Sequence, residues 1–457
     1  MEKMLIKNAK TIITCDANDR ILYGEDILIE GTKISAIGKN LSADGAKVID
    51  GSDMFVYPGL VNTHHHLMET FTRNIPKGQS LELTPWLNFM WPIWTNVDSD
   101  YMYYASMVSL GEMLKYGCTT VFDHHYGWPR GKGRDLVDRE FQASEQLGVR
   151  FLAGRSCITI GEKDGAFPCD ELVETTDEFL TDCDRLIDKY HSTDKFAMKQ
   201  VVVAPCSVWC NDTATMVESA KFARSKGVRL HTHLAEGKDE DDLCMAVNGK
   251  RVFDWAQDCG WVGPDVWYAH GIHFTDRDLD VLAETQTGVA HCPICNMKLA
   301  SGVCKVPQML EKGVPVGLAV DGTSCNDSSN LLNELRVGWL MHRLNSSSAA
   351  PSGYDMLKIA TNGSAKVLGR DDIGSLTEEK AADLFMINVN KLEYSGALED
   401  PASFLATVGY CEPVDMTIVN GKIVYQEGKL TGINEEQVKE IKARADIEAE
   451  KVYSSIR

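Results

Sequence analysis

Eight short apolar segments recur between residues 55 and 322, and each runs straight into polar or reactive side chains: "FVYPGLVNTHHH", "CTTVFDHHY", "VRFLAGRSC", "KQVVVAPCSVW", "VRLHTHLAE", "DVWYAHGIH", "TGVAHCPIC" and "VPVGLAVDG". Helix-forming stretches separate them. Strands buried on both faces and alternating with helices predict a parallel sheet of βα units. Eight such units predict an α/β fold of the (β/α)8 TIM barrel type, here over residues 58–372. In that architecture the reactive side chains gather at the carboxyl ends of the strands. This sequence puts His64, His65, His66, His124, Arg155, Cys206, His233, His270, His291 and Asp321 at those positions. A barrel built for stability alone has no use for so many imidazoles in one ring of strand ends.

The two ends of the chain read differently. Residues 1–57 and 373–457 carry short alternating segments, "MLIKNAKTIITC", "DILIEGTKISAIG", "ADLFMINVN" and "DMTIVNGKIVYQEG", with an Asn420-Gly421 hairpin signal. Strands of one kind at both termini predict a small composite β-sandwich domain, antiparallel in pattern. A closing helix is expected in the charge-rich last stretch. With 457 residues, 44% of them apolar, the chain can bury one large core and a smaller one beside it.

The net charge of -20 disfavours nucleic acid and anionic membrane surfaces as partners and leaves a small molecule as the expected ligand. Neither a signal peptide nor a run near the ~20 apolar residues of a membrane span is present, which predicts a cytoplasmic protein. The 14 cysteines show no repeated spacing and read as reduced packing residues.

Side chains at i and i+2 of a strand share a face. His64 and His66 can therefore converge on one ion while His65 points away. With His233 and Asp321 they offer three imidazoles and a carboxylate, a donor set for zinc, with iron or manganese as alternatives. The stretches "PGLVNTHHHL", "HTHLAE", "AHGIH", "HCPICNMKLASG", "VDGTSCNDSSN" and "NGSAKVLGRDDIGSLTEEKAADL" resemble the amidohydrolase superfamily in its single-metal deaminase branch, in order and over nearly the whole chain. The resemblance implies that His64, His66, His233 and Asp321 hold one divalent metal. It makes Glu236 the proton shuttle, His270 the hydrogen-bonding partner of the attacking hydroxide, and Asp321 the acceptor of the water's proton. The binuclear branch has a lysine at the fourth strand end, and "QVVVAPCSVW" has none there.

Substrate choice in such barrels belongs to the loops after the strands. The first loop carries Trp86, Trp91 and Trp94, any of which could stack on a flat ring or pack a rim helix. Together with the second, third and fourth loops it resembles the 8-oxoguanine deaminase group, a neighbour of the hydroxyatrazine-type triazine hydrolases. Gln79, Trp86, His124, Tyr126, Arg155 and Trp209 are the pocket residues this implies. His273 and His291 stand as secondary candidates, His291 the better placed. Cys292 and Cys295 form a C-x-x-C after a barrel strand, without the H-x-E of the nucleobase-deaminase zinc signature, and read as packing. The expected activity is deamination of a planar nitrogen heterocycle, first 8-oxoguanine to urate and ammonia. Guanine, a pterin such as isoxanthopterin, or an amino- or alkylamino-triazine are alternatives, with cyclic-amide opening and a non-catalytic scaffold as rivals. Family resemblance further implies a homo-oligomer.

Overall fold

A computed structural model describes residues 3–456. Each of the eight apolar segments is a strand: β1 (Leu60–Asn62), β2 (Cys118–His125), β3 (Arg150–Arg155), β4 (Lys199–Val203), β5 (Leu230–Leu234), β6 (Val266–His270), β7 (Gly288–His291) and β8 (Val316–Leu318). They lie side by side in chain order, every neighbouring pair parallel. The sheet closes on itself between β1 and β8, where the Thr63 N–H donates to the Leu318 carbonyl (3.2 Å) and the Asp321 N–H to the His64 carbonyl (3.1 Å). The chain is thus a (β/α)8 barrel with its first and last strands at one seam.

The intervening helices begin and end where local chemistry dictates. Thr175 with Glu178 and Thr275 with Asp278 form reciprocal caps at the starts of Thr176–Tyr190 and Asp276–Thr285. Gly148 ends the helix Leu136–Leu147 in the left-handed region (φ 77°), open to glycine without steric cost.

Both chain ends enter one seven-stranded sheet, in which Met54–Pro58 pairs antiparallel with Leu384–Asn388. A four-stranded sheet from residues 3–50 faces it. Ile6, Ile27 and Ile29 of the smaller sheet pack on Val56, Leu384 and Ile418 of the larger, forming a core separate from that of the barrel. The expected antiparallel pattern is only partly found, because Lys3–Ala9 pairs parallel with Lys47–Asp50 and Thr11–Ile13 parallel with Met54–Pro58. The hairpin Glu25–Glu30/Lys33–Gly38 already occupies the other side of Lys3–Ala9, so the returning chain adds to the free edge in the same direction. Asn420 and Gly421, both at positive φ (50° and 76°), make the two-residue turn between Met416–Val419 and Lys422–Gln426. Buried Arg150 ties barrel to sheets through Asp383 (3.0 Å). The last helix spans Glu435–Ile456, and no helix among the described residues is long and apolar enough to cross a membrane.

Candidate metal centre and active site

At the barrel mouth, alternation along the chain after β1 brings His64 and His66 to one point. Asp321 Oδ1 lies 3.1 Å from His64 Nε2 and 3.2 Å from His66 Nε2, and His66 Nε2 lies 3.1 Å from His233 Nε2. The remaining ring nitrogens are spoken for. His66 Nδ1 donates to the His124 carbonyl (2.7 Å) and His233 Nδ1 to the Cys206 carbonyl (2.7 Å). His231, itself held by the Trp267 carbonyl (3.0 Å), accepts from His64 Nδ1 (2.9 Å). Fixing the outer N–H in this way leaves the Nε2 lone pairs pointing inward, the arrangement a ligating imidazole needs. His64 Nε2 is buried with no hydrogen-bond partner, and the donor set of three imidazoles and a carboxylate fits a divalent transition ion.

Glu236 and His270 flank this cluster. Asn296 Nδ2 donates to His270 Nδ1 (3.0 Å), which sets the tautomer so that Nε2–H faces Glu236 Oε2 at 3.4 Å and Asp321 Oδ2 at 3.7 Å. Burial, with Asp321 beside it, pushes the Glu236 carboxyl well above the usual carboxylate range. Burial alone would raise Asp321 too, yet the imidazoles of His64, His66 and His270 hold it well below that range. Burial lowers His270 to about 3. Glu240 fixes the turn that carries Glu236 by accepting from the backbone N–H of Ala235, Glu236 and Gly237 at 2.7 to 2.9 Å. Ala235, His270 and Asp321 all sit at positive φ (56°, 73° and 63°), unfavourable for side chains with a Cβ and concentrated at these strand ends.

The cavity above the cluster is walled by Trp86, Trp91, Tyr126, Trp209 and Glu69. Trp86 and Trp91 come from the helix Leu83–Trp94, and the third tryptophan, Trp94, instead packs behind Trp86 at 5.6 Å between rings. Three expected pocket residues lie elsewhere. His124 points into the barrel beneath the cluster, fully buried, with Nε2 donating to the Ala204 carbonyl (2.8 Å). Its position on β2 puts it among His64, His66 and His233 rather than on the cavity wall. Arg155 points outward, where Glu174 (2.6 Å), Asp182 (2.8 Å) and the Trp128 ring (3.7 Å) enclose it. A guanidinium taken out of water needs carboxylate partners; the helix Thr176–Tyr190 supplies Asp182 and the loop before it Glu174. Gln79 sits on the rim with its amide toward Asp327 (3.4 Å).

His65 faces away from the ion cluster, with Nε2 against Ser329 Oγ (3.1 Å). His291 pairs with His342 (3.1 Å) and His273 with the Ser301 carbonyl (3.1 Å), neither at the cavity. Cys292 and Cys295 are buried free thiols.

Sequence reasoning missed Glu69, a buried carboxyl on the cavity wall. It accepts from the Tyr126 hydroxyl (2.6 Å) and the Ser324 hydroxyl (2.6 Å). Its signal was the acid three residues beyond the histidine triplet. Gly322 makes room for it, since a Cβ there would lie 1.9 Å from Glu69 Oε2.

Known proteins place this geometry. Residues 55–424 match the amidohydrolase family. The chain is 43% identical to hydroxydechloroatrazine ethylaminohydrolase of Pseudomonas sp. strain ADP, over 93% of this chain and 91% of that one. It is 37% identical to 8-oxoguanine deaminase of Pseudomonas aeruginosa, over 95% and 96%. Among solved structures, atrazine chlorohydrolase from Arthrobacter aurescens TC1 complexed with zinc superposes with a TM-score of 0.93 at 31% identity, covering 97% of this chain and all of that one. With its barrel, its histidine and aspartate cluster and these relatives, the chain belongs to the amidohydrolase family.

Proposed function

We propose that the chain is a divalent-metal-dependent aminohydrolase that removes an exocyclic amine from a planar nitrogen heterocycle, with 8-oxoguanine, going to urate and ammonia, as the first substrate. One observation carries the reading: Glu236 and His270 stand between the His64, His66, His233 and Asp321 cluster and an aromatic-walled cavity. Those four residues would hold the metal, zinc first. When bound, a divalent ion acidifies a coordinated water to a pKa of about 7, which makes it a nucleophile at neutral pH.

The protein's own groups do the rest. Asp321, held ionised, accepts the proton of the attacking water. Glu236, kept protonated by burial, gives its proton to the ring nitrogen as the carbon is attacked and is reprotonated by the proton left on the added oxygen as the carbonyl forms, while Asp321 passes on the water's first proton to the departing nitrogen. The bond from water oxygen to ring carbon forms, the exocyclic carbon–nitrogen bond breaks, and ammonia leaves. His270 Nε2–H lies between both carboxyls and orients them. Trp86, Trp91 and Tyr126 present aromatic faces and edges to a flat substrate.

A second reading shares every step but releases ethylamine from a hydroxytriazine, and the 43% identity to the ethylaminohydrolase favours it. The test follows ammonia and ethylamine release from 8-oxoguanine, guanine, isoxanthopterin and hydroxydechloroatrazine with metal-loaded protein. Ammonia from 8-oxoguanine supports the first reading and ethylamine from the triazine the second. No amine from any of them, with metal bound, overturns both.

A further inference from the structure

β2 does two jobs on its two faces. His124 points into the barrel, so Asp123 and His125 point outward, toward the helix Leu136–Leu147, which brings Glu140 against them. All three side chains are completely buried, and a donor atom from each lies within 4.8 Å of the others. His125 Nε2–H donates to the Gly127 carbonyl (2.9 Å), so Nδ1 offers a lone pair, 3.1 Å from Glu140 Oε1. Asp123 Oδ1 accepts the Leu67 N–H (2.6 Å). Asp123 Oδ2, His125 Nδ1 and both Glu140 oxygens then have no hydrogen-bond partner among the described residues.

One atom from each of the three residues meets at a point, and burial with the Asp123 carboxylate beside it lifts Glu140 well above the usual carboxylate range, so the cluster needs a positive centre there, a metal ion or a shared proton. The neighbouring guanidinium, Arg155, is already taken by Glu174 and Asp182. We propose that Asp123, His125 and Glu140 form a second divalent-metal site, separate from the one at the barrel mouth. The mouth cluster supplies the yardstick: its donor pairs stand 3.1 to 3.2 Å apart, and His125 Nδ1 and Glu140 Oε1 stand at the same spacing. One imidazole, one Asp123 oxygen and both Glu140 oxygens make four donors carrying two negative charges, which balance a zinc or manganese ion.

Such a site is structural. It fastens β2 to the helix behind it, and Asp123 carries the tie onward to Leu67, the residue after His66. Because the site is closed to solvent, the ion enters as the chain folds.

The test counts metals by plasma mass spectrometry in protein expressed with added zinc and manganese and freed of loose ions. Two ions per chain are expected in the wild type. Glu140→Gln or His125→Leu should leave one, the His64→Ala/His66→Ala double variant should leave the other one, and Glu140→Gln added to that double variant should leave none. A single ion that Glu140→Gln keeps overturns the second site, and the two carboxyls then share a proton. A count that falls with Glu140→Gln yet ignores the His64→Ala/His66→Ala change supports the second site and removes the mouth site instead, so the two failures are distinct. Should Glu140→Gln and His125→Leu fail to fold, the His64→Ala/His66→Ala variant decides alone: one retained ion supports the proposal and none overturns it.

Discussion

Glu236 and Asp321 are two carboxyl groups within reach of one imidazole, and their surroundings drive them in opposite directions. Asp321 has three imidazoles about it and stays ionised, whereas burial and the acids Asp321, Glu240 and Glu69 keep Glu236 protonated. Pairs split in this way mark which group takes a proton and which gives one. Glu236→Gln should keep the metal and lose turnover by about 100- to 10,000-fold, the usual worth of general acid–base help; metal analysis beside amine release checks it, and retained turnover removes Glu236 from the shuttle role. Glu334 is a second buried acid, pushed up to about 8 by burial against the partial relief of the Ile294 N–H and the Asn326 amide. Its folded value lies above its ordinary 4.5, so its share of stability is full below that pH and is lost as pH rises toward 8. Glu334→Gln should flatten this fall, visible as a smaller drop in melting temperature between pH 5 and pH 8 than in the wild type. Arg155 shows the opposite case, a charge buried with its partners. Replacing it by Met should cost about 3 to 5 kcal/mol by removing the buried partner of Glu174 and Asp182, which keep only the exposed Arg134 (3.2 Å) and Arg185 (2.7 Å), measured by denaturant unfolding, while the Michaelis constant of the folded fraction stays unchanged.

At the scale of elements, strand alternation was legible and helix reach was not. The period of two assigned His64 and His66 to one point and His65 to the other side, as found. The same rule, applied to "FDHHY", places His124 inside the barrel; the expectation of a pocket residue failed because a β2 side chain near the axis lies under the cluster, below the cavity floor. Glu69, Glu140 and Glu240 escaped notice because each acts from a helical turn onto another element, and no local spacing reports such a meeting. Trp86 was legible as an aromatic near the mouth, but its role depends on tertiary packing. Trp86→Ala should raise the Michaelis constant for a planar substrate roughly 2- to 10-fold if the indole stacks on it, in line with the worth of an aromatic pair. Steady-state kinetics with unchanged values would assign the side chain to support of Trp94 alone.

For the whole molecule, eight apolar runs were enough to foresee the barrel, and the matching texture of the two ends was enough to foresee a shared sheet. The parallel pairs, one in that sheet and one in the four-stranded sheet facing it, were not foreseeable, since strand direction depends on which edge remains free when the chain returns. Metal would also act at this scale, because the proposed ligands, just beyond β1, in β5 and just beyond β8, link distant parts of the chain. Removing it with a chelator should lower the melting temperature, with a loss of about 4 kcal/mol if the free ion stands at 1,000 times its dissociation constant; scanning calorimetry before and after chelation checks this.

The seam between β1 and β8 also sets a timetable. His64 and His66 leave the ribosome more than 250 residues ahead of Asp321, yet the three meet only where the Thr63 and Asp321 amides close the ring. A nascent chain therefore carries its first imidazoles through most of its synthesis with no carboxylate to complete the set. If the mouth holds its ion as proposed, the complete ligand set and the closed barrel arise together, late in synthesis.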